Sequence, residues 1–431
     1  YEWARKLTID KRVCSDLLPT RGIIAGCASA TTELKAFMYR SCAFTIARNP
    51  KVSTSIFIDD LTIDGQGRKG EVVENIVTAA AGLIEICEDD LRMSIAQNKL
   101  AVVASDDNLA AKVAKRLGSQ HFAQSHARNL GVGYRAGKAK HKGQCATTKR
   151  WNKAIAKAKR ARIISKATSK GASKLFFTGV VPAMAYGAEV HGVKPQQVVK
   201  ARQLAKQLTA GTGKMASLEA SLLLDPTKDP ARRLLELPIL RYATEIWHAT
   251  EKSQSRPKNL KLGTLVSGVR TVMGKLASGS TKAIGAKGPI NAMIEAADEI
   301  GWTMRDPVTL VDQKGELIYL TTGSPARLRK LIHQAIAHKL EVQFMDKLIK
   351  GGTGTDSEFA GARLRGLNLK PLRRTLASKD VSANAKNALK RAFTDGIVTA
   401  QKLAKIGYAI DPECPLCKEG QDSVFHRAWE C

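Results

Sequence analysis

The segment Val52-Ser-Thr-Ser-Ile-Phe-Ile-Asp-Asp-Leu-Thr-Ile63 contains two β-rich runs on either side of an acidic pair, Asp59-Asp60. Runs of β-branched and aromatic residues that flank a short polar pair predict a β-hairpin with the acids at or beside its turn. A hairpin of this kind presents carboxylates from a rigid sheet, where they can hold divalent cations. Because Asp-Asp pairs also occur in turns for turn chemistry alone, the pair does not decide the function by itself.

Helical patterns surround this hairpin. Apolar residues recur at helical spacing from Thr31 to Arg48 and again from Glu71 to Asp90, so each stretch predicts an amphipathic helix. Leu100 to Ala104 is a short apolar run that predicts a strand. The rest of the chain is rich in helical patterns and contains few strand signals. The sequence therefore predicts an α+β fold that is predominantly α-helical, with a small antiparallel sheet.

The whole chain is strongly basic. Its 431 residues include 69 Lys and Arg against 39 Asp and Glu, which gives a formal charge of +30. A charge of this size attracts polyanions, so nucleic acid is the first partner to consider. No apolar run is long enough for a membrane span, and no signal-peptide pattern opens the chain. We therefore expect no membrane insertion and an intracellular location, nuclear or cytoplasmic.

The positive charge is concentrated in one stretch. From Asn108 to Ala188 the sequence has no Asp or Glu but 18 Lys and Arg. Its densest part predicts a helix with a basic face, and the residues expected to contact a phosphate backbone are Lys149, Arg150, Lys153, Lys157 and Arg160. The alternatives are a solvated lysine-rich helix and a helix that lies on anionic lipid.

The last residues carry the most specific pattern in the sequence, formed by Cys414, Cys417, His426 and Cys431. Two cysteines separated by two residues direct both thiolates at one ion, and the later His and Cys lie about one helical turn apart. Three thiolates and one imidazole suit a closed, tetrahedral Zn²⁺ site, which leaves no position for a catalytic water. A chance cluster of free thiols is the alternative.

Four segments resemble the palm motifs of reverse transcriptases in their order and approximate spacing. They are Arg21–Thr31, Phe57–Asp60, Gln97–Val103 and Asn129–Val132. Together with the terminal Cys-Cys-His-Cys pattern they resemble the non-LTR (LINE-type) retrotransposon reverse transcriptases, which are RNA-directed DNA polymerases. Reverse transcriptases of the group II intron type are a second resemblance, which the terminal pattern fits less well.

The LINE-type resemblance implies two-metal nucleotidyl transfer with Mg²⁺. Asp59 is expected to bind Mg²⁺, Asp60 to organise the site, and Lys99 to donate a proton to the leaving pyrophosphate or to pair with its charge. The alternative for Lys99 is an exposed lysine without a role in the reaction. The residues expected to lie beside the incoming nucleotide and the template base are Gly22, Ala25, Gly26 and Phe57. The implied partners are an RNA template and a DNA target or primer.

Two departures from the family pattern affect these expectations. Ala25 stands where the family usually has Gln, and only twenty residues precede Arg21. The palm strand that carries a further metal-binding Asp is therefore expected to lie outside this chain, and we expect the chain alone to be inactive as a polymerase. The alternative in another class is a non-catalytic nucleic-acid-binding remnant of a mobile element.

The resemblance and the composition together imply four regions. They are a partial palm over 1–135, a basic thumb-like helical region over 136–195, a helical connector over 196–400 with a flexible linker at 263–288, and a zinc motif over 401–431. Within the connector, Asp312 to Leu320 predicts a turn followed by a strand, and Arg327 to Leu348 predicts a basic amphipathic helix.

Overall fold

The structure is a computed structural model that describes residues 8–9, 12–13, 29–135, 146–165, 168–208, 216–250, 262–277, 288–350, 367–394, 396–423 and 426–431. These residues are mostly helical, with small antiparallel sheets, as the predicted α+β class requires. The chain divides into two compact units, Tyr1–Ala146 and Thr147–Cys431. The division lies close to the boundary predicted at residue 135.

The first unit contains both predicted helices and the predicted hairpin. Its described elements are β1 (Thr8–Ile9), β2 (Arg12–Val13), α1 (Ala30–Arg48), β3 (Val52–Phe57), β4 (Asp60–Gly65), α2 (Lys69–Glu85), α3 (Asp107–Arg116), β5 (His126–Asn129) and β6 (Val132–Arg135). Strands β3 and β4 pair antiparallel, with Phe57 opposite Asp60. A wide π-helical turn, Ile86–Asp90, continues α2 to the end of the predicted helical pattern.

The strand predicted at Leu100–Ala104 is wrong. Val102 forms only a single parallel bridge to Ala123, outside any strand. Its N–H donates to the carbonyl of Phe122 at 2.7 Å, and its carbonyl accepts from Gln124 at 2.9 Å. The backbone groups at this one residue are thus satisfied by a loop, and no neighbouring strand extends the pairing.

Two small apolar clusters hold the first unit together. One joins α1, α2 and the inner face of the β3–β4 hairpin through Met38, Cys42, Leu83 and Leu91. The other joins α2 and α3, where Val73 and Val77 lie on one face because four residues make about one helical turn. Asp106 starts α3 as its N-cap and accepts a hydrogen bond from the N–H of Leu109 at 2.8 Å.

The second unit is a helical assembly with one three-stranded meander. Its described elements are α4 (Ala146–Ile164), α5 (Ser169–Leu175), α6 (Val181–Ala185), α7 (Ala188–His191), α8 (Pro195–Gln207), α9 (Leu218–Leu224), α10 (Ala231–Thr250), α11 (Leu262–Ala277), α12 (Pro289–Glu299), β7 (Thr303–Asp306), β8 (Thr309–Val311), β9 (Leu317–Tyr319), α13 (Pro325–Lys350), α14 (Lys370–Ala377), α15 (Ala383–Phe393) and α16 (Ala400–Lys405). The strand β9 and the helix α13 confirm the two elements predicted around 312–320 and 327–348.

One apolar core runs through this unit from Trp151 of α4 to Phe344 of α13. It does not divide at residue 195, where the predicted thumb-like region ends, so that region and the first part of the connector share a core. Helix α11 occupies the start of the segment predicted as a flexible linker, 263–288, and Val269 is fully buried there. The linker prediction is therefore wrong for residues 263–277, while 278–287 lie outside the described residues.

Helix α10 lies at the centre of the second unit and contacts α7, α12 and α13. The hydroxyl of Tyr242 donates to the carbonyl of Pro307 at 2.6 Å, which fixes α10 to the turn between β7 and β8. Trp302 is buried at the start of the meander, and its Nε1–H donates to Gln313 at 2.7 Å. Among the helices described, none is long and apolar enough to cross a bilayer.

Candidate metal centre and nucleic-acid-binding residues

The four residues of the predicted zinc motif come together in the structure. The ligand atoms of Cys414, Cys417, His426 and Cys431 all lie within 4.8 Å of one another. The sulfurs of Cys414 and Cys431 are 3.9 Å apart, and the sulfur of Cys417 is 3.0 Å from Nε2 of His426. Zinc–sulfur bonds of about 2.3 Å in a tetrahedron place two sulfurs about 3.8 Å apart. The donor set and its spacing therefore fit Zn²⁺.

A tight turn forms the half of this cluster that carries the first two cysteines. The N–H of Lys418 donates to the carbonyl of Cys414 at 3.0 Å, and Lys418 has a φ of 59°. The N–H groups of Cys417 and Leu416 donate to the Cys414 sulfur and lower the pKa of that thiol to about 7. Since the thiolate is the form that binds metal, the turn prepares Cys414 for coordination.

His426 is oriented by Glu430, one turn further along a π-helical turn. Nδ1 of His426 lies 3.0 Å from a carboxylate oxygen of Glu430, which directs Nε2 toward the cysteines. Hydrogen bonds to Cys417 and Glu430 raise the pKa of His426 to about 9. A Cβ at Gly420 would lie 3.1 Å from Cε1 of His426, so glycine lets the ring approach the backbone closely. The pairing of a carboxylate with a histidine is typical of metal ligands.

The exposed cysteine of the cluster completes the ligand set. The residue is exposed as a whole, but loss of water around its sulfur, followed by hydrogen bonds with Cys417 and Cys414, raises the pKa of Cys431 to about 11. Three sulfurs in so small a volume repel one another when they are charged. A divalent cation among them supplies the opposite charge.

Asp422 is a structural residue of this cluster that the sequence did not identify. Its carboxylate is fully buried and accepts hydrogen bonds from Nε and Nη2 of Arg427, the latter at 2.7 Å, and from the N–H of Ala400. The hydrogen bonds from Arg427 hold its pKa below the ordinary value. Asp422 thereby joins the start of α16 to the metal cluster. An acid near an arginine is too common a pattern to have predicted this contact.

The predicted catalytic acids lie at the tip of the β3–β4 hairpin. Ile58 and Asp59 form its two-residue turn, and Asp60 is the first residue of β4. Both acids are exposed, as is Phe57. Ile58 has a φ of 59°, a conformation that hairpin turns usually give to glycine or asparagine and that strains a β-branched residue.

Among the described residues, no further acid joins Asp59 and Asp60 in a group that could share an ion. Within the described ranges, the terminal cluster is the only group of three or more His, Cys, Asp or Glu residues close enough to share an ion. Asp59 and Asp60 alone therefore do not form the predicted Mg²⁺ site. Lys99 is exposed in the short turn Gln97–Lys99 and forms no ion pair with a described acid. Residues 22, 25 and 26, predicted to contact the nucleotide and the template (Gly22, Ala25, Gly26), lie outside the described residues.

A second hairpin contacts the first. Its turn, Leu130-Gly131, has φ values of 46° and 76° and joins β5 to β6. Nδ2 of Asn129 donates to Oγ1 of Thr62 on β4 at 2.6 Å. Since alternate residues of a strand share a face, Thr62 lies on the same face of β4 as Asp60. The segment Asn129–Val132 is therefore in direct contact with the strand that begins at Asp60.

Helix α4 presents its basic residues as predicted, with one exception. Its exposed side chains include Lys149, Lys153, Lys157 and Arg160, while the opposite face buries Trp151, Ala154, Ala158 and Ala161. The exception is Arg150, whose guanidinium lies 4.5 Å from the ring centre of Tyr186 and donates to the Tyr186 carbonyl at 3.3 Å. Arg150 is thus engaged within the protein, and the four other predicted cations form the basic face.

Comparisons of this chain with models of known protein families, with curated proteins and with solved structures find no match. The site that the geometry supports most fully is the terminal Cys/His cluster. The basic face of α4 and the acid hairpin are supported by exposure, charge and backbone conformation.

Proposed function

We propose that this chain is a nucleic-acid-binding part of an RNA-directed DNA polymerase of the non-LTR (LINE) retrotransposon type. The observation that carries the polymerase assignment is the turn at the hairpin tip, where Ile58 has a φ of 59° beside two exposed carboxylates. Strained backbone of this kind costs about 1–3 kcal/mol and clusters at functional sites. A turn that served only to reverse the chain would be expected to carry glycine or asparagine there.

The contact between the two hairpins supports the same assignment. In the family that the sequence resembles, the Leu-Gly element leads from the palm toward the primer grip. Here the corresponding turn is fixed to β4 by the hydrogen bond from Asn129 to Thr62, two residues from Asp60. In this proposal the primer end and the acid pair lie on the same side of the first unit.

Asp59 is proposed as a direct Mg²⁺ ligand, with Asp60 organising the hairpin tip. Two adjacent carboxylates do not hold two cations, because each cation needs several oxygen ligands. The described residues contain no third carboxylate at this position. Asp59 is therefore proposed to act with carboxylates beyond the described residues, and no step of nucleotidyl transfer is assigned to the hairpin alone.

Zinc has a structural role in this proposal. Four protein ligands fill a tetrahedral ion and leave no position for substrate. The ion would link the turn at Cys414–Cys417 to the π-helical turn at His426–Glu430, and Asp422 extends this order to α16. In this proposal the last residues of the second unit form a small module whose structure depends on the bound metal.

Primer extension on an RNA template in Mg²⁺ tests the assignment, using the 431-residue chain and the longest product of the same reading frame. The substitution Asp59→Asn is made in each of these two proteins that extends the primer. We expect it to abolish extension and to leave binding of an RNA–DNA duplex intact. Asp64→Asn is the matched control, since Asp64 is an exposed acid on the same hairpin away from its tip. Extension that survives Asp59→Asn contradicts the proposed site.

A second candidate function is nucleic-acid binding without catalysis. The exposure of Asp59 and Asp60, and the lack of a third carboxylate beside them in the described residues, favour it. Both candidates use the basic face of α4. They differ in one result, because the second predicts salt-sensitive duplex binding and no primer extension by any product of the reading frame.

A further inference from the structure

Helices α14 and α15, with the turn between them, carry a second basic surface. From residue 370 to residue 391 the chain has one acid, Asp380, and seven cations: Lys370, Arg373, Arg374, Lys379, Lys386, Lys390 and Arg391. None of the seven forms an ion pair with a described acid. Three cations of α13 differ, since Arg329 pairs with Glu236, Lys339 with Glu299 and Lys347 with Glu219. The charge of the 370–391 surface is therefore not neutralised within the described protein.

Helix α14 holds its part of this surface in a fixed orientation. Lys370, Arg373 and Arg374 are exposed, while Leu372 and Leu376 are half-buried on the other side of the helix. Nη2 of Arg373 donates to the carbonyl of Leu223 at 2.7 Å, which fixes α14 to the end of α9. Packing and this hydrogen bond thus leave Lys370 and Arg374 turned to solvent.

Helix α15 adds two lysines that are partly withdrawn from water. Lys386 and Lys390 are half-buried and one turn apart, and Nζ of Lys386 donates to the carbonyl of Ser378. Burial, followed by repulsion from Lys228 and Lys386, lowers the pKa of Lys390. Among Lys228, Lys386 and Lys390, only Lys228 is paired with a described carboxylate, that of Asp225 at 3.4 Å.

We propose that α14, α15 and Lys228 form a second binding surface for the phosphate backbone of nucleic acid, separate from the basic face of α4. A phosphate placed among these cations reduces their repulsion and releases bound counterions. Cations spread over two helices match a repeating polyanion better than a single small anion. The choice of nucleic acid over another polyanion rests on the proposed function.

The surface ends before the metal cluster. Between residues 402 and 431 the cations Lys402, Lys405, Lys418 and Arg427 are outnumbered by the acids Asp411, Glu413, Glu419, Asp422 and Glu430. Mixed charge of this kind gives no net attraction for a phosphate backbone. The contact is therefore assigned to α14 and α15 and not to the metal cluster that follows them.

The test measures the affinity of the zinc-loaded 431-residue chain for a labelled RNA–DNA duplex as a function of salt. We expect Lys386→Gln/Lys390→Gln to weaken binding and to reduce the log–log salt slope by roughly 1–2, since each phosphate contact contributes about 0.7–0.9. Lys112→Gln/Lys115→Gln is the matched control, because it removes the same charge from exposed positions on α3. Lys386→Arg/Lys390→Arg keeps the charge and is expected to keep the slope.

An unchanged slope in Lys386→Gln/Lys390→Gln, or an equal loss in the α3 control, overturns the inference. Binding of phosphatidylserine vesicles that needs these lysines, with duplex binding unaffected, also overturns it. If circular dichroism shows that the double variant does not fold, Lys370→Gln/Arg374→Gln replaces it, with the same expected loss of slope. If the unaltered chain binds no duplex at all, the proposed function fails. If the unaltered chain binds and the variant binds equally well, only the second binding surface is rejected.

Discussion

The terminal Cys/His cluster and the acid hairpin both use a tight turn with a non-glycine residue at positive φ, Lys418 in one and Ile58 in the other. In the cluster the turn directs thiolates inward, and the remaining ligands close over them. In the hairpin the turn presents two carboxylates outward to solvent. A closed metal site can thus be complete within one short segment, whereas an open site depends on groups that approach it from elsewhere.

Removal of one thiolate tests the closed site and has the largest expected effect. Structural zinc contributes about 10–16 kcal/mol in zinc-finger peptides, so Cys417→Ser should lose the ion and the order around it. The measurement is zinc content per chain by elemental analysis. Cys87→Ser is the control, because Cys87 is a buried thiol of the first unit. Full zinc content in Cys417→Ser would show that the four residues do not form a metal site.

Asp422→Ala tests whether the closed site is held by contacts beyond its ligands. The change leaves Arg427 and the N–H of Ala400 without their buried acceptor, at a cost of about 1–3 kcal/mol. Because 1.4 kcal/mol is about tenfold in affinity, competition with a chelator should show zinc binding weakened by roughly 5- to 150-fold. Glu419→Ala, at an exposed position of the same module, should bind zinc normally. Equal affinities for the two variants would contradict the role of Asp422.

Variants that remove charge from α4, from the acid hairpin and from α3 test which of these parts binds nucleic acid. Lys153→Gln/Lys157→Gln should lower duplex affinity and reduce the log–log salt slope by roughly 2, because two phosphate contacts are lost. Asp59→Asn/Asp60→Asn removes repulsion and should leave duplex affinity equal or higher. The control is again Lys112→Gln/Lys115→Gln. Equal slopes for the α4 variant and this control would mean that α4 is only a solvated helix.

Ile58→Gly has the smallest expected effect and tests whether the hairpin tip is strained. Relief of the left-handed conformation is worth about 1–2 kcal/mol, and the added backbone freedom of glycine offsets about 0.5–1 kcal/mol of it. We therefore expect the free energy of unfolding of the first unit to rise by up to about 1.5 kcal/mol in urea titration. Asp64→Gly, in β4, should lower it instead. A loss of stability in Ile58→Gly would mean that the turn is not strained.

The features that were predicted from the sequence depend on residues close together in the chain. The β3–β4 hairpin, helix α1 and the Cys/His cluster each follow from a local spacing, and the structure confirms their positions. Asp422 could not be predicted in this way, because its role comes from Ala400 and Arg427, and the first of these lies in another element. The position of Arg150 against Tyr186 likewise depends on helix packing.

The errors in the fold have a similar physical origin. Residues 263–277 contain Gly, Ser and Lys, which suggested a linker, but Leu262, Leu265 and Val269 recur at helical spacing and pack against the core. Tertiary packing thus overrides a composition that is weak in helix formers. Apolar faces on both sides of residue 195 also share one core, which local spacing does not reveal. The polymerase residues stay predictions, since their assembly depends on residues outside the described ranges.

Helix α4 is attached to the core by Trp151 and by several alanines. Each alanine buries little apolar area, whereas α10 and α13 bury the larger side chains of leucine and isoleucine. Its cations also repel one another. Local opening of α4 is therefore expected to need less free energy than opening of the central helices. A polyanion that binds only the docked helix raises that free energy by RT ln(1 + L/Kd), where L is its free concentration and Kd its dissociation constant. Amide hydrogen exchange along α4 would then report whether nucleic acid is bound, and the helix would act as the part of the second unit whose rigidity depends on its ligand.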